Sequence, residues 1–285
     1  VWVTTISLSG FREHKLMTDS TDQASSPLFE AKDFDESSVF RPEALLENAR
    51  RQKDLPDRSV PDICILDPDG DIVRQLKAAG EAQKDDAWPG SHTDLYRFER
   101  NGEEFGIVGC AVGASFAVLV AEQLFAAGCR FLVSITSSGQ IVEKDDPPYF
   151  VLVERALRDE GTSHHYRATS RYATLGDEIR LIIEEACDTV SRPVYTGATW
   201  TTDAPFRETE TAIENARSEE ILAVEMEAAA LYTFAEVREV PVVCFAHVTN
   251  QMGQTEEDFE KGEADGTQDA LEVIDAVAIA WQSYN

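Results

Sequence analysis

The residues with the clearest chemical potential lie at positions 224–231. Glu225 and Glu227 flank Met226, and a run of alanines follows. A carboxylate has two acceptor oxygens and no donor, so it can accept hydrogen bonds from both hydroxyls of a cis-diol on a sugar. The same acids could instead stabilise the N-terminus of the following helix, an effect worth about 0.3–1 kcal/mol each. Taken alone, the pattern favours this structural interpretation.

Four other segments place polar or small residues where strands are expected to end, at 67–71, 111–115, 136–139 and 248–250. In open α/β sheets the ligand crevice lies at the carboxyl ends of the strands. Turns of small residues can also present backbone N–H groups to an anion or a sugar. Tight packing of a strand against a helix explains each segment equally well when it is considered alone.

Strands and helices alternate along the chain and would position these segments. Apolar runs and turn signals predict strands at 62–66, 95–98, 105–111, 131–135, 149–153, 193–199, 222–224 and 240–248. Helices are predicted at 72–79, 115–127, 178–187, 225–237 and 268–281. No linker or repeat follows residue 60, so we expect one α/β domain built on a central sheet. Residues 1–37 are expected to form a tail or arm.

The chain is strongly acidic, with 53 Asp and Glu against 25 Lys and Arg and a formal net charge of -28. This charge argues against partners such as nucleic acid or an anionic membrane surface, because both would be repelled. No apolar run reaches the ~18 residues of a membrane helix, and residues 1–8 lack the features of a secretion signal. The five cysteines form no close pairs and three lie in apolar runs, which predicts buried free thiols in a reducing cytoplasm.

Two segments, 158–166 and 224–231, resemble signatures of the nucleoside phosphorylase-I family. That family includes uridine phosphorylase, purine nucleoside phosphorylase and methylthioadenosine-type nucleosidases. Shorter similarities follow in the family's order at 38–41, 65–71, 109–115, 135–141, 201–208 and 247–250. The resemblance extends from about residue 38 to residue 283. It implies a three-layer αβα domain over residues 38–285 with a mixed, partly barrel-like central sheet. It also implies an enzyme that cleaves the N-glycosidic bond of a nucleoside.

The resemblance also implies roles for individual residues. Glu227 and Asn250 are the expected catalytic residues, and Asn250 stands where uridine-directed members also have Asn. Ribose binding is expected from Glu225, Met226, Glu227 and Arg41, the last replacing an inter-subunit His. Base binding is expected from Ser138, Gly139, Phe206, Arg207 and Glu208, although a core position for Phe206 and a helix cap for Glu208 are open alternatives. No metal is expected, since adjacent His164 and His165 make a poor ligand pair.

The expected phosphate or water site departs from the family pattern. It comprises Gly70, Asp71, Ser134 and Ser137, and the family's arginines are replaced at Asp71 and Ser134. A phosphate beside the acids of residues 67–71 would be repelled by about 1–4 kcal/mol per close charge. Three alternatives follow: phosphorolysis with an altered phosphate site, hydrolysis of a nucleoside or nucleotide, or nucleoside binding without catalysis.

Further expectations concern cofactors and partners. The substrate would be a small nucleoside, with no cofactor and with phosphate as a possible co-substrate. The family's architecture implies a homodimer or homohexamer with sites at the subunit interfaces, and Arg41 would then reach a neighbouring site. The sequence leaves open the base and the choice among ribose, deoxyribose and a 5′-phosphorylated sugar.

Overall fold

The computed structural model describes residues 26–30, 32–252 and 261–284. The strands in these residues are β1 (Ile63–Asp67), β2 (Gln83–Lys84), β3 (Leu95–Arg100), β4 (Glu103–Gly109), β5 (Phe131–Gln140), β6 (Tyr149–Asp159), β7 (Tyr172–Thr174), β8 (Val194–Thr202), β9 (Ile221–Glu225) and β10 (Val242–Asn250). The α-helices are α1 (Pro42–Lys53), α2 (Asp71–Ala79), α3 (Ala114–Ala126), α4 (Asp177–Cys187), α5 (Glu210–Ser218), α6 (Ala228–Arg238) and α7 (Thr267–Tyr284). The expected tail at 1–37 lies largely outside the described residues.

A mixed sheet organises the fold, and five of its strands close on themselves. β10 pairs with β5 in parallel and with β6 in antiparallel orientation. β6 and β8 are parallel, as are β8 and β9, and β9 returns antiparallel to β5. Four further strands extend from β5 in the order β1, β4, β3 and β2, and β7 pairs antiparallel with β6. The predicted α/β class with a mixed, partly barrel-like sheet is therefore confirmed.

Local sequence explains the elements around the crevice. β1 is buried along its whole length, as expected for a parallel strand covered on both faces. α2 buries Ile72, Val73 and Leu76 on one face. By contrast, α6 is buried from Ala228 to Phe234, and its small alanines allow close packing against the sheet. The two helices therefore begin at the same sheet but have different solvent exposure.

Two predicted boundaries were wrong at places that matter for the site. Residues 136–139 continue β5 instead of forming a turn, because their backbone pairs with β10 as far as Gly139, which also pairs with β9. The helix predicted at 225–237 also begins later than expected, because Glu225 ends β9 and α6 begins only at Ala228. The two glutamates thus lie in the strand-to-helix junction instead of on the helix.

Other expectations from sequence also need correction. Helices α1 and α5 were not predicted, although Pro42 at the first turn of α1 and the Thr209 cap of α5 are recognisable start signals. Cys110 is exposed, because the chain leaves the sheet after β4 with a left-handed backbone at this residue. Among the described residues, no helix is long and apolar enough to cross a membrane.

Candidate active site

Glu227 lies in the junction between β9 and α6 and is only 1% exposed. Its Oε1 accepts a hydrogen bond from the Gly113 N–H at 2.6 Å, which ties it to the small-residue turn after β4. Its Oε2 is buried and makes no hydrogen bond of normal geometry among the described residues, although the nearby Thr136 hydroxyl interacts with this carboxylate and lowers its pKa. A buried carboxylate oxygen without a partner is costly, so this atom marks a place where a donor from a ligand would be stabilising.

Glu225, two residues earlier, has a different environment. Its Oε1 accepts from the hydroxyls of Thr199 at 3.1 Å and Thr201 at 2.5 Å. Its Oε2 accepts from the backbone N–H groups of Glu227 and Ala228, both at 2.7 Å. The side chain is 3% exposed, and all of these donors belong to the protein. Both oxygens of Glu225 are therefore already engaged, unlike those of Glu227.

The two glutamates also affect each other's ionisation. Burial and, to a smaller extent, the nearby charge of Glu225 together raise the pKa of Glu227 to about 8, although the Gly113 N–H and the Thr136 hydroxyl oppose the rise. Burial also raises the pKa of Glu225, but four hydrogen-bond donors favour its ionised form. Glu225 is therefore the ionised member of the pair, and Glu227 holds the proton in the empty site at neutral pH.

The turn between β1 and α2 contributes a second group of acids. Asp67 is buried and accepts from the N–H groups of Gly70 at 3.1 Å and Val73 at 2.9 Å. Burial raises the pKa of Asp67 to about 7, with smaller effects from Asp69 and Asp71. Gly70 has φ +75°, and a Cβ there would lie 2.6 Å from the Sγ of Cys110. The turn thus needs glycine both for its backbone and for its close contact with residue 110.

Asp69 reaches from this turn to the middle of the crevice. Its Oδ2 accepts the Ser137 N–H at 2.7 Å. Asp71 pairs with Arg74 Nη1 and with Lys261 Nζ, each at 2.5 Å, and Lys261 lies 3.9 Å from Asp69. Although burial opposes it, hydrogen bonds from Lys261 and Arg74 lower the pKa of Asp71. Lys261 and Arg74 therefore partly neutralise these acids. The Asp69 carboxylate also accepts the Ser137 N–H, which the sequence analysis assigns to the phosphate or water site.

Asn250 ends β10 and packs against the expected base-binding segment. Its Nδ2 donates to the Ser138 carbonyl at 3.3 Å, and its Oδ1 accepts the Met252 N–H at 2.9 Å. A Cβ at Gly139 would lie 2.9 Å from Met252 Cγ and 3.3 Å from Asn250 Oδ1. Glycine at 139 is thus required by close packing, and the structure brings Ser138, Gly139 and Asn250 together.

The second expected base-binding group lies on the loop after β8. Phe206 is 98% exposed in the described chain, so the core alternative for this residue was wrong. Arg207 is also exposed, and burial raises the pKa of the half-buried Glu208 to about 6. The cap alternative for Glu208 was wrong as well, because Thr209 caps α5 by accepting the Ala212 N–H.

Two predicted site residues are not brought to Glu227 within one chain. Arg41 precedes α1, is exposed, and lines a groove of about 310 Å³ with Glu122 and Arg238. Ser134 is buried in the middle of β5, paired with Leu66 and Cys244 across the neighbouring strands. Its hydroxyl has no partner among the described residues. That a second subunit brings Arg41 to a neighbouring site stays a prediction.

Sequence reasoning missed several residues at this crevice. Gly113 and Thr136 lie in segments 111–115 and 136–139, which the sequence predicts to border the site, but no pattern within these segments distinguishes the two residues from their neighbours. The sequence around Asp69 is that of a surface turn, which is the position it predicts for this residue, yet the Asp69 carboxylate accepts the Ser137 N–H. Lys261 gave no sequence signal, since its partner Asp71 is 190 positions away. No group of three or more His, Cys, Asp or Glu in the described ranges could hold a metal ion.

This combination of a partly closed mixed sheet and an acidic crevice at strand ends agrees with comparison to known proteins. The sequence profile of the phosphorylase superfamily matches residues 62–279. The chain therefore belongs to the phosphorylase superfamily. That match spans all ten strands of the described residues and includes both the β1–α2 turn and the β9–α6 junction.

Individual relatives point in the same direction. A uridine phosphorylase from Thermococcus kodakarensis is 25% identical over 185 residues, which cover 59% of this chain and 65% of that protein. The match thus spans slightly less than two thirds of the relative's length. A uridine phosphorylase structure from Vibrio fischeri ES114 has a TM-score of 0.64 at 18% identity, covering 87% of this chain and 100% of that one. Another, complexed with 6-hydroxy-1-naphthoic acid, has a TM-score of 0.59 at 16% identity, covering 80% and 89%. These structures establish similarity of fold.

Proposed function

We propose that this protein cleaves the N-glycosidic bond of a nucleoside. The observation that carries the proposal is the free, buried Oε2 of Glu227 beside the Gly113 turn. In this proposal Glu227 binds the sugar diol and Met226, which is half-buried beside it, packs on the sugar. Positive charge develops on the sugar as the bond breaks, and the nearby carboxylates stabilise that charge.

A pyrimidine is the base that the relatives favour. The Thermococcus relative is a uridine phosphorylase, and this chain shares Asn at position 250 with the pattern expected of uridine-directed members. Ser138, Gly139 and Asn250 would form one side of the base site, and Phe206, Arg207 and Glu208 the other. Because Asn cannot readily protonate a leaving base, solvent or Glu208 would supply that proton.

The acceptor of the sugar can be phosphate or water. The name of the Thermococcus relative supports phosphorolysis, which would use the site around Gly70, Asp71 and Ser137. The contact between Asp69 and the Ser137 N–H favours hydrolysis as the second candidate, because a carboxylate already holds that donor. In hydrolysis the water oxygen bonds to C1′ while its proton passes to Asp69. The C1′–N bond breaks, its electron pair leaves with the base, and the base takes up a proton.

A product assay on a panel of ribo- and deoxyribonucleosides, with and without phosphate, tests this proposal. Base release that requires phosphate and yields a sugar 1-phosphate indicates phosphorolysis. Release of free sugar at the same rate without phosphate indicates hydrolysis. If nucleosides raise the melting temperature but no base is released, the protein binds nucleosides without cleaving them, and the proposal is wrong.

We also propose assembly as a homodimer or a homohexamer. Val39 and Phe40 are 101% and 73% exposed beside Arg41, so an apolar and a cationic surface are available together. In an oligomer, Arg41 would contribute a cation to the neighbouring crevice. Arg41→Ala should then reduce turnover while leaving the melting temperature of the protein unchanged, and sedimentation would report whether the assembly persists.

A further inference from the structure

The neighbouring glutamates of the β9–α6 junction differ in what they can offer to a ligand. Both oxygens of Glu225 are occupied by four protein donors, two on β8 and two at the start of α6. Glu227 has one oxygen held by the Gly113 N–H and the other without a hydrogen bond of normal geometry among the described residues. A sugar hydroxyl could therefore bond Glu227 without displacing any protein contact. It could bond Glu225 only by breaking one.

We infer that Glu225 is a positioning residue that fixes the backbone of Glu227 and contacts no substrate. This inference rests on the proposed function and assigns a different task to each glutamate. The Glu225 carboxylate joins the Glu227 N–H to the hydroxyls of Thr199 and Thr201 on β8. Thr201 extends the connection, since its hydroxyl accepts the Ala229 N–H at 2.9 Å. The junction is thereby bonded to the adjacent strand on one side and to α6 on the other.

The same arrangement determines which glutamate is charged. Glu225 lies at the N-terminus of α6 and accepts from two of its free N–H groups, an environment that favours an anion. The titratable groups that face Glu227 are Glu225, Asp69 on the β1–α2 turn and the buried Cys244 on β10. Glu225 is the largest of these influences on Glu227, and its charge opposes ionisation of Glu227. Glu225 thus affects the crevice through Glu227 in both geometry and charge.

Glu225→Gln separates charge from position. The glutamine carbonyl can accept the N–H groups of Glu227 and Ala228, while its amide donates to the threonine hydroxyls. This variant therefore retains the contacts and removes the negative charge. Selective ¹³C labelling of glutamate carboxyl carbons, with Glu227→Gln to assign the signal, would follow Glu227 in the empty protein. We expect its pKa to fall by about one unit in Glu225→Gln. An unchanged pKa would contradict the inference.

Substrate variation distinguishes positioning from sugar contact. We expect Glu225→Gln to keep the wild-type ratio of kcat/KM for a ribonucleoside and its 2′- or 3′-deoxy analogues within about twofold. This variant keeps Glu227 in place and Glu225 contacts no hydroxyl itself, so its effect and that of removing the hydroxyl should be additive to about this factor. Glu227→Gln should reduce that ratio, because the hydroxyl partner is then altered. If Glu225→Gln lowered this ratio of kcat/KM values as much as Glu227→Gln does, the inference would be overturned.

A second variant covers the case in which Glu225→Gln does not fold. Thr201→Val keeps both carboxylates and removes the hydroxyl that joins Glu225 to α6. This variant should lower kcat several-fold but retain the wild-type preference for ribose over deoxyribose. A changed preference would contradict positioning through this contact. If the wild-type protein cleaves no nucleoside, the proposed function fails. The carboxyl titration still tests the pairing of Glu225 with Glu227 in that case.

Discussion

Two strand-to-helix junctions bring carboxylates to the crevice, but they stabilise them differently. At the β9–α6 junction, Glu225 and Glu227 are buried with backbone and hydroxyl donors, and neither forms a salt bridge within the part of the chain that the structure describes. At the β1–α2 turn, Asp71 pairs with Lys261 and Arg74, and Asp69 accepts a backbone N–H. The carboxylates of the first junction are thus stabilised by neutral hydrogen-bond donors and by a proton on Glu227, whereas Asp71 in the second is stabilised by cations.

This difference shows that two carboxylates can have opposite ionisation behaviour within one protein. Without a cation, burial and a like charge raise the pKa of Glu227 to about 8. With two cations, the pKa of Asp71 is lowered despite its partial burial. The first junction is therefore suited to forming hydrogen bonds with a neutral sugar. In the proposed hydrolysis, the second would supply Asp69 to accept the proton of the attacking water.

Breaking the second junction at Asp69 should have the largest effect. If water is the acceptor, Asp69→Asn should reduce phosphate-independent base release by about 10²- to 10⁴-fold, the usual contribution of a general base. Asp71→Asn is the matched control, because it loses the pairs to Lys261 and Arg74 but keeps the Ser137 contact. Equal release by wild type and Asp69→Asn, measured by base absorbance, would exclude Asp69 as the base.

Changing the first junction at Glu227 should have the next largest effect. Glu227 is neutral in the empty site, but the hydroxyl donors of a bound diol favour its ionised form. Glu227→Gln should therefore lower kcat/KM by about 10- to 100-fold, as expected for a hydrogen bond to a charged group. The variant should remain folded, since its carbonyl can still accept the Gly113 N–H. Calorimetric nucleoside affinity equal to that of wild type would remove Glu227 from the sugar site.

The contrast between the junctions also predicts a pH dependence of stability. The folded-state pKa values of Asp67 and Glu227, about 7 and about 8, lie above their ordinary values of 3.8 and 4.5. The folded protein thus binds more protons than the unfolded chain, and these groups make stability fall as the pH rises. His247 acts in the opposite sense only below pH 6.5, since burial lowers its pKa to about 4.

We therefore expect the melting temperature to decrease between pH 6.5 and pH 8. Scanning calorimetry of wild type and Glu227→Gln over this interval would measure it. The variant cannot lose the proton, so its curve should be flatter in this range. Parallel curves for the two proteins would show that Glu227 does not hold a proton in the folded state.

Removal of the cation from the second junction should have the smallest effect. Lys261→Met leaves Asp71 with Arg74 alone and should lower the free energy of unfolding by about 1 kcal/mol, because the pair is only partly buried. Since the lowered pKa of Asp71 stabilises the fold above its ordinary value of 3.8, the loss should disappear as the pH falls below that value. Urea unfolding at pH 7 and pH 3 tests both statements. Lys84→Met, which breaks an exposed pair with Asp94, is a suitable control.

The sequence by itself determined the α/β class and the segments that border the crevice. Apolar runs specify buried strands, and small residues after them allow close approach, so β1, β4, β9 and β10 could be located within a few residues. The family resemblance also directed attention to residues 224–231. These properties are local, and local patterns are preserved in the sequence.

Only the tertiary structure decided which acids are free and which are satisfied. Glu225 and Glu227 are nearly adjacent and of the same type, yet their partners come from β8 for one and from the turn after β4 for the other. Lys261 likewise meets Asp71 from a distant part of the chain. Ionisation depends on burial and on the donors and charges that folding brings close. Residue spacing along the chain does not specify those distances.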